Sequence, residues 1–185
     1  MMLGCMKQAQ RCFDRAIAAA EGSDEAIWCR TCQQKISFLA DIGKSMESIA
    51  AQKAALQINQ ENPSQWLLLA AAYFFAGQYE QARSCVAEGI EKFPDHTALH
   101  VYAGDICRAL KLYDAAFDHW NRALALEDDY LDARYSMGFC YEELGQYEQA
   151  YHTWMALADI LEHHGMIIEK AFPLRLAEKC REKML

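Results

Sequence analysis

Three prolines and nine glycines are all that 185 residues offer for breaking the chain, so turns are few and most segments must be regular. Alternating runs of Val, Ile and Thr are missing as well, which argues against sheet. No cluster of Lys and Arg occurs, and the formal charge is −8 with a pI near 5.2. Neutralising phosphates needs a concentrated basic face, so neither a nucleic acid nor an anionic membrane is expected as a partner. The longest apolar run, Trp66 to Ala76, is eleven residues, against roughly 20 for a bilayer span; it reads as a buried core helix. The opening MMLGCMKQAQRC places Cys5 after Leu3 and Gly4 as a lipoprotein signal would. The positive and apolar regions of such a signal do not precede it, so export is not expected. The eight cysteines are scattered and read as small buried side chains in a reducing cytosol.

What the chain does contain is one pattern written three times, from Trp66, His100 and Arg134, at a step of 34 residues. Four columns carry it: Ala82, Ala116 and Ala150; Tyr79, Tyr113 and Tyr147; Tyr73, Cys107 and Tyr141; Val86, Trp120 and Trp154. A step of that length is one helix–turn–helix unit stacked on its neighbours. Helix pairs are predicted at 63–76 and 79–92, 97–110 and 113–126, and 131–144 and 147–163. Reading backwards, Ala55-Leu56 repeats the spacing of Ile90 and Leu124, which predicts a degraded repeat over 25–58, its helices at 25–42 and 44–58 joined through Gly43. Residues 3–20 copy the spacing of a second helix, with no first helix before it. Their stripe of Met6, Phe13 and Ile17 invites self-association, so a homo-oligomer through the N-terminal helix is one expectation. Gly165 should end the long helix, and Pro173 fits the first turn of a capping helix within 166–184.

Trp66, Leu69, Tyr73, Gly77, Tyr79, Ala82 and Pro94 meet the W-x2-L-G-x2-Y, A, F, P pattern of the tetratricopeptide repeat family, and Gly104 and Gly138 supply its small first-helix residue in the next two copies. Over 63–162 the chain resembles that family. The resemblance implies an all-α fold, with helix–turn–helix repeats stacked as a right-handed α-solenoid and closed by the C-terminal helix, in a single domain over 1–185. It also implies a protein-binding scaffold rather than an enzyme.

Local motifs add little chemistry. Trp28-Cys29-Arg30-Thr31-Cys32 looks like the W-C-x-x-C of thioredoxins, where a helix N-terminus lowers a thiol pKa. That motif needs a preceding strand, and the upstream residues read as helix; a thiol redox protein using Cys29 and Cys32 remains one alternative. No ligand set for a metal can be assembled from His96, His100, His163 and His164, and no cofactor is implied. Gly43-Lys44-Ser45 imitates the end of a phosphate loop, but Phe38 stands where its first glycine belongs.

In this family the first helix of each pair lines the concave side. Carried onto this chain, the resemblance places Arg30, Gln33 and Ser37, then Leu67, Ala71 and Phe74, then Val101, Asp105 and Arg108, then Tyr135, Phe139 and Glu142 on those columns. Trp66, Leu69, Tyr73, Ala103 and Met137 face the partner helix as core. Relatives that clamp the C-terminal carboxylate of heat-shock chaperones use a Lys/Asn/Arg set there; here only Arg108 could pair a carboxylate. An apolar and aromatic groove rimmed by Asp105, Asp132, Glu142 and Glu143 instead suits a peptide with apolar anchors and some basic residues. The expected function is a cytoplasmic, non-enzymatic scaffold for a peptide segment of a protein partner. A secretion-type tetratricopeptide chaperone shielding apolar cargo is the other alternative.

Overall fold

The computed structural model describes the backbone of residues 2–20, 25–41 and 43–184, and their side chains except those of 2–9, 20, 25, 26, 29 and 30. Every described element is helical: α1 Met2–Ala20, α2 Glu25–Asp41, α3 Ser45–Ile58, α4 Pro63–Phe75, α5 Tyr79–Lys92, α6 Thr97–Ala109, α7 Tyr113–Leu126, α8 Leu131–Glu143, α9 Tyr147–His163 and α10 Ala171–Met184. The predicted pairs lie within a residue of these bounds. The last helix is shorter than expected: it starts at Ala171, because Pro173 has no N–H to donate and is tolerated only in a first turn.

The turns inside the pairs are set by one backbone device. Gly43, Gly77 and Gly145 have φ between 71° and 75°, and Lys111 has φ 60°. These four positions continue the step of 34, so the degraded first pair α2–α3 shares the register of the rest. At each, the two amides after the helix turn back onto its last carbonyls, as in Gly77 N to Phe74 O at 2.9 Å and Gln78 N to Tyr73 O at 2.9 Å. This double bond is the Schellman stop, which satisfies carbonyls that a helix end leaves open. Gly165, with φ 73°, ends α9 in the same way. At the start of α4, Asn62 accepts from the Ser64 amide at 2.8 Å, and Pro63 occupies the first helical position.

The chain divides into two compact units, Met1–Pro94 and Asp95–Leu185. In the first, α4 packs against α2, α3 and α5, and α1 against α2. Contact on several sides explains why α4 is apolar nearly all round, with Trp66 to Ala72 all buried. In the second, α6 packs on α7 and α8, α8 on α9, and α9 on α10. Its cores centre on Trp120, with Ala116, Ala123, Ala133 and Cys140, and on Trp154, with Ala150, Leu157, Ala177 and Cys180. The Ala82, Ala116 and Ala150 column is fully buried, as expected of the place where paired helices approach closely. Close approach is also why glycine recurs on α6 and α8: a Cβ on Gly138 would stand 2.6 Å from the Trp154 ring, and one on Gly104 would collide with the Trp120 indole.

Of the N-terminal stripe, Phe13 and Ile17 are half-buried. Phe13 packs on Phe38 at 5.5 Å with the rings tilted, and Lys35 pairs with Asp14 at 2.6 Å. The Met6 side chain lies outside the described residues.

Candidate peptide-binding face

The groove columns behave differently in the two units. In the first, Leu67 and Ala71 are buried, which corrects their assignment to a binding surface: α4 is covered by α2, α3 and α5, so these side chains pack inward. Phe74 is half-buried and meets Phe75 and Tyr79 edge-on at 5.6 and 5.3 Å. Gln33 is half-buried; the Arg30 side chain lies outside the described residues. On the side of α4 facing α3 and α5 lies an open cleft of about 610 Å³ whose lining includes Leu56, Trp66, Leu69 and Tyr73. Lys92 and Lys53 stand over the Trp66 and Tyr73 rings at 5.5 and 5.4 Å.

The second unit brings the rest of the set together on α6 and α8. Val101 is buried in the Trp120 core and is likewise corrected from groove to core. Asp105 and Arg108 lie one turn apart on α6. Asp132, Tyr135, Ser136, Phe139, Glu142 and Glu143 recur at three- and four-residue steps on α8, which puts them on one stripe. Phe139 is 41% exposed and meets the Trp154 ring at 5.0 Å, nearly edge-on. Tyr135 leans on Trp154 at 6.0 Å and on Phe172 of α10 at 6.3 Å. The Trp154 indole donates to Glu142 at 2.9 Å, so Glu142 holds the ring from which the ladder grows.

One repeat earlier the same place is built differently. The position equivalent to Glu142 is Arg108, which cannot accept from an indole. Asp105, one turn before it, stands beside Trp120 and Ser136 instead. Burial pushes the Asp105 carboxyl up to about 6; Ser136, Arg108 and Trp120 favour its charged form, while Asp132 adds to the rise. Arg108 is already engaged, pairing with Glu143 at 3.1 Å, and Tyr113 donates to that same carboxylate at 3.0 Å. A partner's C-terminal carboxylate would have to displace Glu143, which gives no support to the heat-shock type of clamp.

Phe172 was not among the predicted residues, and the repeat step explains why. From Leu131 the step points to 165, but α10 begins six positions later at Ala171. The displaced stretch leaves Ile167 and Ile168 exposed and brings Phe172 beside α8.

Cys32 is buried in α2, a helix already running before Cys29, and no strand occurs among the described residues; the Cys29 side chain lies outside the described residues. That context lacks the strand and helix start on which the thioredoxin likeness depends. Among the described residues no cysteine is in a disulfide; Cys32, Cys85, Cys107, Cys140 and Cys180 are buried and Cys12 is exposed. Burial pushes Cys85 up to about 12 and Cys140 up to about 11. Among the described residues no group of three or more His, Cys, Asp or Glu is placed to hold a metal ion, and no helix is long and apolar enough to cross a membrane.

Residues 47–103 match the tetratricopeptide repeat family. No curated protein matches the chain. Among solved structures, the thermophilic tetratricopeptide repeat protein TTC0263 of Thermus thermophilus is similar at 19% identity and a TM-score of 0.67, over 94% of this chain and 92% of that one. The TPR2AB domain of yeast Sti1, in its complex with pHSP90, is similar at 12% identity and a TM-score of 0.59, over 97% and 81%. MamA is similar at 21% identity and a TM-score of 0.52, over 79% and 94%. At such identities the likeness is one of fold, and it agrees with the helix pairs, the step of 34 and the small-residue columns: the chain has the all-α helical-repeat fold of these proteins, and its residues 47–103 match the tetratricopeptide repeat.

Proposed function

We propose that the chain is a non-enzymatic interaction scaffold that holds a peptide segment of a partner protein against the α6–α8 face. The observation that carries this reading is the ladder of Phe139, Trp154, Tyr135 and Phe172, two of whose rings, Phe139 and Phe172, are more than a third exposed. Aromatic side chains left in water beside polar groups are the usual anchors of an interface. The buried thiols suit a reducing compartment, and the scaffold is proposed to work in the cytoplasm.

The test is positional crosslinking in lysate of the source cells. A photoreactive p-benzoylphenylalanine replaces Phe139 in one preparation and Asp159, exposed on α9, in another. A discrete protein adduct from position 139 and none from 159 is the expected result. Identical adducts from both, or none from either, would reject this face as the binding site.

A further inference from the structure

The rim of that face carries negative charge where its aromatic surface is most open. Asp132 stands one turn before Tyr135 on α8, and the Glu169 carbonyl accepts from the Phe172 amide at 3.2 Å, so the two acids flank the pair of rings that joins α8 to α10; burial first, then these two carboxylates, raises the Tyr135 pKa. Asp132 also adds to the raised pKa of Asp105 on α6. Asp132 and Glu169 are exposed, and Lys170, the base next to Glu169, is turned to Glu162 at 2.7 Å. Just before Glu169 in the chain, Ile167 and Ile168 are 66% and 87% exposed.

Resting on the function proposed above, we infer that the corner formed by Tyr135, Phe172, Asp132 and Glu169 takes a basic side chain of the partner peptide, flanked by aliphatic residues that cover Ile167 and Ile168. A guanidinium or ammonium over an aromatic face gains from the ring quadrupole. Two carboxylates at the ring edge add attraction that a neutral side chain cannot use, and an acidic one is repelled. Arginine fits better than lysine, because its planar group stacks on a ring while its N–H fork reaches a carboxylate. The chain's net charge of −8 favours the same partner over longer distances.

Three short acetylated, amidated and fluorescently labelled peptides test this, sharing one aliphatic framework and carrying a central pair of Arg, Gln or Glu. Binding is read by anisotropy, at low and high salt, to the full chain and to Asp132→Asn combined with Glu169→Gln. The expected result is that the Arg peptide binds at least about tenfold tighter than the Gln peptide, and that salt or the double variant erases the difference. Equal binding of Arg and Gln peptides, a double variant that keeps the preference, or tightest binding of the Glu peptide would each overturn the basic partner while leaving a peptide-binding face in place. Failure of all three peptides at millimolar concentration would overturn the face and the inference together.

Discussion

Gly104 and Trp120 fill one volume between them: the indole lies where a side chain on residue 104 would begin. The relationship repeats at Gly138 and Trp154, and the pair before them is Ala70 with Val86, both buried. A larger residue on the first helix accompanies a smaller one on the second.

That exchange predicts a coupled pair. Gly104→Ala should destabilise by about 2 kcal/mol, since overpacking outweighs the better helix propensity of alanine. Trp120→Val alone should cost about 3 kcal/mol through the cavity it leaves. The two together, recreating the Ala70–Val86 solution, should cost at least about 1 kcal/mol less than their sum. Urea unfolding of the four proteins measures this, and strict additivity would show that the two side chains do not share the space.

Lys111 holds φ 60° at the turn position where Gly43, Gly77 and Gly145 stand in the other pairs. Lys111→Gly should therefore raise stability by about 1 kcal/mol, by removing left-handed strain from a residue with a Cβ. A lowered melting temperature would mean that the lysine side chain makes a contribution larger than its strain.

The buried column predicts that Ala116→Leu loses about 1–3 kcal/mol, whereas Ala98→Leu, at a half-buried position, loses less. Equal melting temperatures for the two variants would contradict the placement of the close helix approach.

Asp105 predicts a pH dependence of definite sign. Its pKa is raised from an ordinary 3.8 to about 6, so the folded protein holds this proton more tightly than the unfolded chain. The carboxylate costs nothing below about pH 4, where both states are protonated, and its full cost is present above about pH 6. Asp105→Asn should thus be the more stable protein at pH 7.5, by on the order of 1–2 kcal/mol, and the gap should close as pH falls toward 4. Thermal melts across that range decide it; a gap that persists at pH 4 would assign the effect to something other than ionisation.

The helices were legible because their signals are local. The step of 34, Gly165 and Pro173 each act on their own few residues: the structure realises the pairs within a residue, and it starts the last helix at Ala171, two residues before Pro173. Lys111 is the exception that shows the mechanism: the sequence hides its left-handed turn because a lysine stands where glycine is easier, yet the flanking helices impose it. The binding columns were only half legible. The family resemblance supplied Tyr135, Phe139 and Glu142 as columns of the first helix, but whether Leu67, Ala71 and Val101 face water depends on which helices cover them, and that is a tertiary matter. Phe172 escaped because α10 leaves the repeat step, and Asp105 gave no hint that Trp120 would need it as a neighbour.

The buried thiols make the protein a set of internal clocks. Cys32 and Cys85 lie in the first unit, and Cys107, Cys140 and Cys180 in the second, each on a different helix. A thiol at zero or near-zero exposure reacts with an alkylating reagent only during an opening that bares it. Cysteine-by-cysteine labelling rates, read by mass spectrometry without any mutation, would therefore report how often each helix comes loose, with exposed Cys12 as the unprotected standard.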